Sequence, residues 1–278
     1  MIHLLLAIGS SAMVSIVMRL SSGRVRGNVS MLAMNYLMCL GLSAVLALPG
    51  GLFPKDPALP GTLAMGTVHG VLYLGSFVLF QWNVKQNGVV LPATFMKLGL
   101  LVPMVVSVFA FGEMPGLWQG IGFVLAVGAI LLVNLEKDSA VVSSRWALPG
   151  LLLAGGTADA MSKVYEELGA PGLSAQFLFY TFLVAFVLCC ILVAVKKQTV
   201  GKGEIFYGLL IGIPNFFSAR FLLLALKQLD AVIVYPTYSV ATIAFVSLAG
   251  TAFFREKLSR RQWLAMGIIA VALVLLNL

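Results

Sequence analysis

Charge is what this chain has least of. Only 10% of its 278 residues are charged, and just ten are acidic. A soluble domain usually carries about 25% charged residues. At 60% hydrophobic, a soluble form would expose apolar surface broad enough to aggregate, and little polar sequence remains for a separate soluble domain. Cysteine is also sparse. Cys39, Cys189 and Cys190 all fall inside apolar runs, a placement that argues against a disulfide framework or a zinc site and leaves lipid-facing or packed thiols. No nucleotide-binding loop, metal-ligand motif or nucleophile–base pair is present, which argues against an ATP-driven pump. One deep aspartate and one deep histidine make a thin catalytic set, so neither enzyme activity nor a cofactor is expected. The N-terminal stretch lacks the basic start and cleavage site of a secretory signal and reads as a retained first helix.

What the chain does have is long apolar runs. A bilayer core of about 30 Å needs about 20 apolar residues per helix. Runs of that length must be helical, because lipid offers the backbone no hydrogen-bond partners. Ten fit, at about 2–20, 30–49, 61–82, 89–112, 115–134, 147–166, 173–195, 204–226, 231–254 and 259–278. The breaks carry turn chemistry, as in PGGLFPKDPALPG at 49–61 and LGAPG at 168–172.

The runs repeat. GEMPGLWQGIGFVLAVGAILLVNL (112–135) matches REKLSRRQWLAMGIIAVALVLLNL (255–278), pairing Glu113 with Glu256, Gln119 with Gln262 and Asn134 with Asn277 at one offset of 143. The expected organisation is two repeats, 1–138 and 145–278, of five helices each. Five is odd, so the second would enter the membrane inverted relative to the first, as in many secondary transporters. The net charge of +8 fits membrane topology better than nucleic-acid binding. Of the eighteen basic residues, thirteen fall in loops after odd-numbered runs, and only Lys55 and Lys227 in loops after even-numbered ones. The odd loops are expected to be cytoplasmic, with both termini outside a plasma (cell inner) membrane.

Two stretches carry a resemblance. YPTYSVATIAFVSLAGTAFFREKLSRRQWLAMGIIAVALVLLNL (235–278) resembles the last two helices of small multidrug resistance proteins. With VLPATFMKLGLLVPMVVSVFAFGEMPGLWQGIGFVLAVGAILLVNL (90–135), it resembles both halves of EamA-type members of the drug/metabolite transporter superfamily. The resemblance implies an all-α integral membrane protein of ten helices, two inverted repeats around a central cavity, working by alternating access, often with proton or exchange coupling. It names no substrate. It also has a gap. Small multidrug pumps carry an essential glutamate eight residues before a basic residue of their first helix. Counting back from Arg19 gives Ser11, and from Lys163 gives Gly155, so that cation site is absent at its usual places.

Four ionisable residues lie inside the runs: Lys97, Asp159, Lys163 and Arg220. A charge at a helix centre costs about 2.5–3.5 kcal/mol on insertion scales, and such groups usually face a bundle interior or water. Lys97 sits roughly 5 Å from the midplane, about 10 Å from the interface, beyond the reach of snorkelling alone. It reads as a cavity-lining residue or as half of a structural ion pair. Asp159 and Lys163, four apart, share a helix face. Asp159 is either a proton carrier or a static partner of Lys163 or Lys97, and Lys163 is expected to snorkel outward. Arg220 suits a carboxylate or phosphate, or anchors its helix. Three positive groups against one negative favour an anionic or zwitterionic substrate.

The neutral candidates are His69 and Tyr73 on the third run, Tyr235 and Tyr238 about Pro236, and Ser10, Ser11, Asn35 and Asn215. Each could line a cavity or bond a neighbouring helix. Pro103 and Pro236 could kink helices, and Gly116, Gly120, Gly122 and Gly128 offer a small packing face. The expected function is secondary transport, as export, of a small organic anion or zwitterion such as an amino acid. The expected partners are that small molecule and the lipid bilayer, with no nucleic acid, in a monomer for which a dimer is possible. The alternatives are a cation or drug exporter that uses Asp159, and a lipid-linked sugar flippase or accessory subunit.

Overall fold

The computed structural model describes residues 1–21, 23–87, 90–134, 146–254 and 260–278. Among these the chain is all-helical, with eleven α-helices. They are α1 (Ile2–Ser21), α2 (Asn28–Ala47), α3 (Leu59–Asn87), α4 (Val90–Leu98), α5 (Leu101–Phe111), α6 (Leu117–Asn134), α7 (Ala147–Leu168), α8 (Ser174–Val195), α9 (Lys202–Leu226), α10 (Ala231–Phe254) and α11 (Arg260–Leu276). Six helical stretches among the described residues are long and apolar enough to cross a membrane: Ile2–Ser21, Asn28–Gly50, Leu59–Asn83, Pro171–Val195, Lys202–Leu226 and Ala231–Ala252. Of the expected basic loop residues, Lys137, Arg145, Arg255 and Lys257 lie outside the described residues, as does Glu256 of the repeat.

Nine of the ten expected runs each correspond to one helix, within a few residues. The run at 89–112 does not. It is two helices, α4 and α5, parted at Gly99–Leu100. Pro103 supplies the reason: it has no N–H to give the carbonyl four residues back, and its ring crowds that carbonyl. Here that residue is Gly99, the weakest helix former after proline. The chain re-closes with three-residue spacing, Gly99 N–H to Met96 O (3.2 Å), Leu100 N–H to Lys97 O (3.5 Å) and Val102 N–H to Gly99 O (3.0 Å). A new helix starting at Leu101 puts Pro103 in a first turn, where its missing N–H is not needed. Pro214 and Pro236 have Leu210 and Val232 four residues back, and α9 and α10 run through them unbroken.

The chain forms two compact units, each drawing helices from both sequence repeats. One holds Gly75–Lys163 and Ala225–Leu278 with Met1, the other Ile2–Leu74 and Val164–Leu224. In the first unit α6 and α11 pack extensively on each other. Their buried residues mix small and large side chains: Ala126, Ala129 and Ile130 on α6, Ala265, Ile269, Ala272 and Leu276 on α11. Of the expected glycine face only Gly122 meets α11, where an added Cβ would stand 3.0 Å from Leu276, whereas Gly120 and Gly128 face open space.

In the second unit α2 and α8 form the corresponding pair. There α9 lies on α2 through two glycines. A Cβ on Gly208 would stand 2.5 Å from the Met31 carbonyl oxygen, and one on Gly212 2.5 Å from Met38 Cβ and 2.7 Å from the Asn35 carbonyl oxygen. Cys39 is buried here, its thiol donating to the Gly212 carbonyl at 3.3 Å. Cys189 is buried and Cys190 exposed, all three thiols being free. The Glu204 carboxylate ties the start of α9 to the loop before α2, accepting the Arg26 N–H (2.7 Å) and Gly27 N–H (3.1 Å).

Backbone cannot yield as a flexible side chain can. Gly212→Ala should therefore lower stability by about 1–3 kcal/mol, the usual cost of overpacking. Gly128→Ala, with open space around it, should be neutral or stabilising, because alanine is the better helix former. Thermal unfolding of the two detergent-solubilised variants checks this.

Candidate functional site

The first unit holds three of the four ionisable residues singled out inside the apolar runs, Lys97, Asp159 and Lys163. Lys97 lies in the last turn of α4, whose C-terminal dipole favours a cation. Asp159 lies near the middle of α7. The α4–α5 break and α7 approach closely at two glycines. A Cβ on Gly156 would collide with the Gly99 carbonyl oxygen and stand 2.5 Å from Val102 Cγ2. Asp159 follows Gly156 by three residues, so it shares the face that meets the break. Lys97 and Asp159 interact through their charges, yet no direct ion pair joins them among the described residues. Both side chains are exposed.

Lys163 behaves otherwise than expected. It is buried rather than reaching outward, and among the described residues no ion pair joins it to Asp159. Its Nζ lies 2.5 Å from Glu113 Oε1, the two side chains being 2% and 12% exposed. The ring of Phe111 lies 5.8 Å from the same ammonium. The other Glu113 oxygen accepts the Ala231 N–H at 2.7 Å and the Val232 N–H at 3.4 Å, the first N–H groups of α10. Ser107 Oγ donates to that oxygen as well. The sequence marked Glu113 only as a repeat position. Its glycine-flanked place between two apolar runs gave no sign that α7 and α10 would meet there.

Glu113 sits in the loop between α5 and α6. Burial alone would raise its pKa, but hydrogen bonds from Lys163 and Ser107, the Lys163 charge and the Ala231 N–H together hold the carboxyl below its ordinary value.

Tyr235 is 2% exposed, so it does not line a cavity. Its hydroxyl donates to the Asp159 backbone carbonyl at 2.7 Å. Tyr238 is half-buried.

The remaining candidates belong to the second unit. His69 is buried, its ring stacked on Phe177 (5.3 Å between centroids) and edge-on to Tyr73 (5.6 Å). Its Nδ1 lies 3.4 Å from Thr181 Oγ1, so it is a packed histidine. Tyr73 donates to Asn215 Oδ1 at 3.4 Å, and Asn215 Nδ2 donates to Asn35 Oδ1 at 3.2 Å. That network joins α3, α9 and α2, the helix-to-helix role polar residues often take in a membrane. Ser10 and Ser11 are half-buried on α1, and the Ser11 carbonyl accepts the Ser15 hydroxyl at 3.3 Å. Arg220 is half-buried on α9, and its buried Nη1 has no hydrogen-bond partner among the described residues.

The profile of the EamA-like transporter family matches the chain twice, over 1–135 and 146–278. The chain belongs to the EamA-like transporter family. With its apolar spanning helices it is a multi-pass membrane protein of a transporter family. An uncharacterised protein of Haemophilus influenzae is 23% identical over 273 residues, 95% of this chain and 93% of its own length. A crystal structure shares the fold at a TM-score of 0.74, covering 99% of this chain and 98% of the other at 15% identity. The family brings together the apolar runs, the sparse charge and the repeat, and leaves the substrate to the residues.

A depressed carboxylate stabilises the fold fully above its unfolded pKa and ceases to do so as pH falls through its lower folded pKa. Glu113→Gln should therefore destabilise at pH 7 by about 3 kcal/mol, the cost of opening a buried pair. The gap to wild type should narrow only below about pH 4, near the ordinary carboxylate value. Melting curves from pH 8 to about pH 3.5 measure it.

Proposed function

We propose that this EamA-like protein is a secondary transporter of small zwitterions or organic anions, amino-acid-like metabolites first, acting as an exporter by alternating access. One observation carries the reading: Lys97 and Asp159 are opposite charges, both exposed, beside a helix break in mid-span, and not closed on each other. Exposed charge at that depth belongs with water or a ligand rather than lipid. A zwitterion answers both groups at once, its carboxylate on the ammonium of Lys97 and its amine on Asp159. The same carboxylate is the candidate proton carrier.

The charge balance differs from the one read off the sequence. Glu113 neutralises Lys163, and Asp159 opposes Lys97. The unanswered positive charge is Arg220, with a buried guanidinium nitrogen lacking a partner among the described residues. Within the first unit Tyr238 is a candidate for a hydrogen bond to substrate; in the second unit Arg220 is a separate candidate for a carboxylate, with Ser11 and Tyr73 as candidates for hydrogen bonds. The reading includes ten membrane helices in two inverted repeats, termini outside the plasma membrane, a monomer, and no enzymatic activity. The pairing of polar positions at one offset supports the two repeats, and the bias of basic residues supports the placement of the termini.

A cation or drug exporter is the second reading, favoured by the exposure of Asp159 and the pairing of Lys163 with Glu113. A thermal-shift comparison separates them, with L-alanine, succinate and choline at millimolar concentration. A ligand at 100 times its dissociation constant adds about 2.7 kcal/mol. L-Alanine should stabilise wild type and lose that effect in both Lys97→Met and Asp159→Asn. Stabilisation by choline alone, retained in Lys97→Met, would favour the cation exporter instead.

A further inference from the structure

We propose that Glu113 is the positioning residue for Asp159: its carboxylate clasps the first turn of α10 to α7 and so keeps the Tyr235 hydroxyl on the Asp159 carbonyl. The clasp deepens the reading above and rests on it for its functional meaning, because Asp159 matters only if it meets substrate or proton.

The first N–H groups of a helix have no partner within it, and the helix dipole makes that end a place for negative charge. Glu113 supplies the charge, accepting from Ala231 and Val232 at the start of α10. Its other oxygen holds Lys163 of α7. Lys163 follows Asp159 by one helical turn, and in a regular helix the Asp159 carbonyl accepts the Lys163 N–H. Tyr235, in the same first turns of α10, donates to that carbonyl. Two successive turns of α7 are thus fastened to one end of α10, and one carboxylate closes the arrangement.

Among the described residues, three kinds of group face the Glu113 carboxylate: Lys163 from α7, Ser107 from α5 and the α10 N-terminus. All three favour its ionised form, so Glu113 stays charged while the transporter works. The clasp is a fixed brace, and proton transfer is left to Asp159.

A brace of this kind differs from a simple salt bridge. Exchanging the two charges would restore a simple pair. Here, a lysine at position 113 would point its ammonium at the N–H groups of α10, where positive charge is unfavourable.

The test reads Asp159 without any substrate. Asp159→Cys is made in a Cys190→Ser background, because Cys190 is the exposed thiol and Cys39 and Cys189 are buried. The rate of labelling by methanethiosulfonate ethylammonium is measured in full-length protein in nanodiscs. Glu113→Gln should speed labelling about tenfold, the effect of losing roughly one charge-assisted hydrogen bond. Glu113→Asp should stay near the parent rate. The exchange Glu113→Lys with Lys163→Glu should label as fast as Glu113→Gln. A Ser11→Cys site in the second unit should not change under Glu113→Gln.

An unchanged rate in Glu113→Gln, a parent-like rate in the exchanged pair, or equal acceleration at the Ser11 site would each overturn the clasp. If labelling responds as expected while L-alanine fails to stabilise wild type, the clasp stands and the substrate reading falls.

Discussion

A charge inside a bilayer has to be met by an opposite charge, a backbone dipole, water or a ligand. Lys97, Lys163 and Arg220 meet that constraint in three different ways. Lys163 is met in full, by Glu113 and the ring of Phe111. Lys97 is met in part, by the end of α4 and by Asp159 at a distance. Arg220 keeps a buried nitrogen without a partner among the described residues. The series runs from a closed structural pair to groups still open to a ligand, and the functional reading follows the open end.

The break between α4 and α5 obeys a related constraint on the backbone. One proline placed four residues after a glycine interrupts an apolar helical run and lets α7 approach to backbone contact. Broken helices near the midplane are where secondary transporters commonly place substrate sites, because helix ends bring dipoles that an intact helix keeps internal. Lys97 sits just before the break, and Asp159 one turn along α7 from the glycine that touches it. Local backbone chemistry and the placement of charge arrive at the same spot.

Much of this was legible in the sequence. Apolar run lengths located nine helices within a few residues, because lipid leaves the backbone no alternative to helix. The repeat pointed to the family, and the charges inside the runs were visible as exceptions to composition. The α4–α5 break was visible only as Pro103, since the spacing back to Gly99 matters as much as the proline. The partner of Lys163 was not legible. Helical spacing pairs residues three or four apart on one helix, which pointed to Asp159, whereas the contact that forms is fifty residues away in sequence, at Glu113. For His69 and Tyr235 the sequence left two readings open, lining a cavity or bonding a neighbouring helix, because their types are versatile. Burial shows His69 packed among aromatic rings and Tyr235 holding backbone.

The central claim is that the open Lys97–Asp159 pair takes a zwitterion. Counterflow of radiolabelled L-alanine in proteoliposomes tests it most directly, with unlabelled L-alanine, propionate and ethylamine as competitors. If both charges are read, L-alanine should compete at least about tenfold better than either analogue, since each analogue leaves one charge of the pair unanswered. Equal competition by ethylamine, or no counterflow of L-alanine at all, would contradict the account.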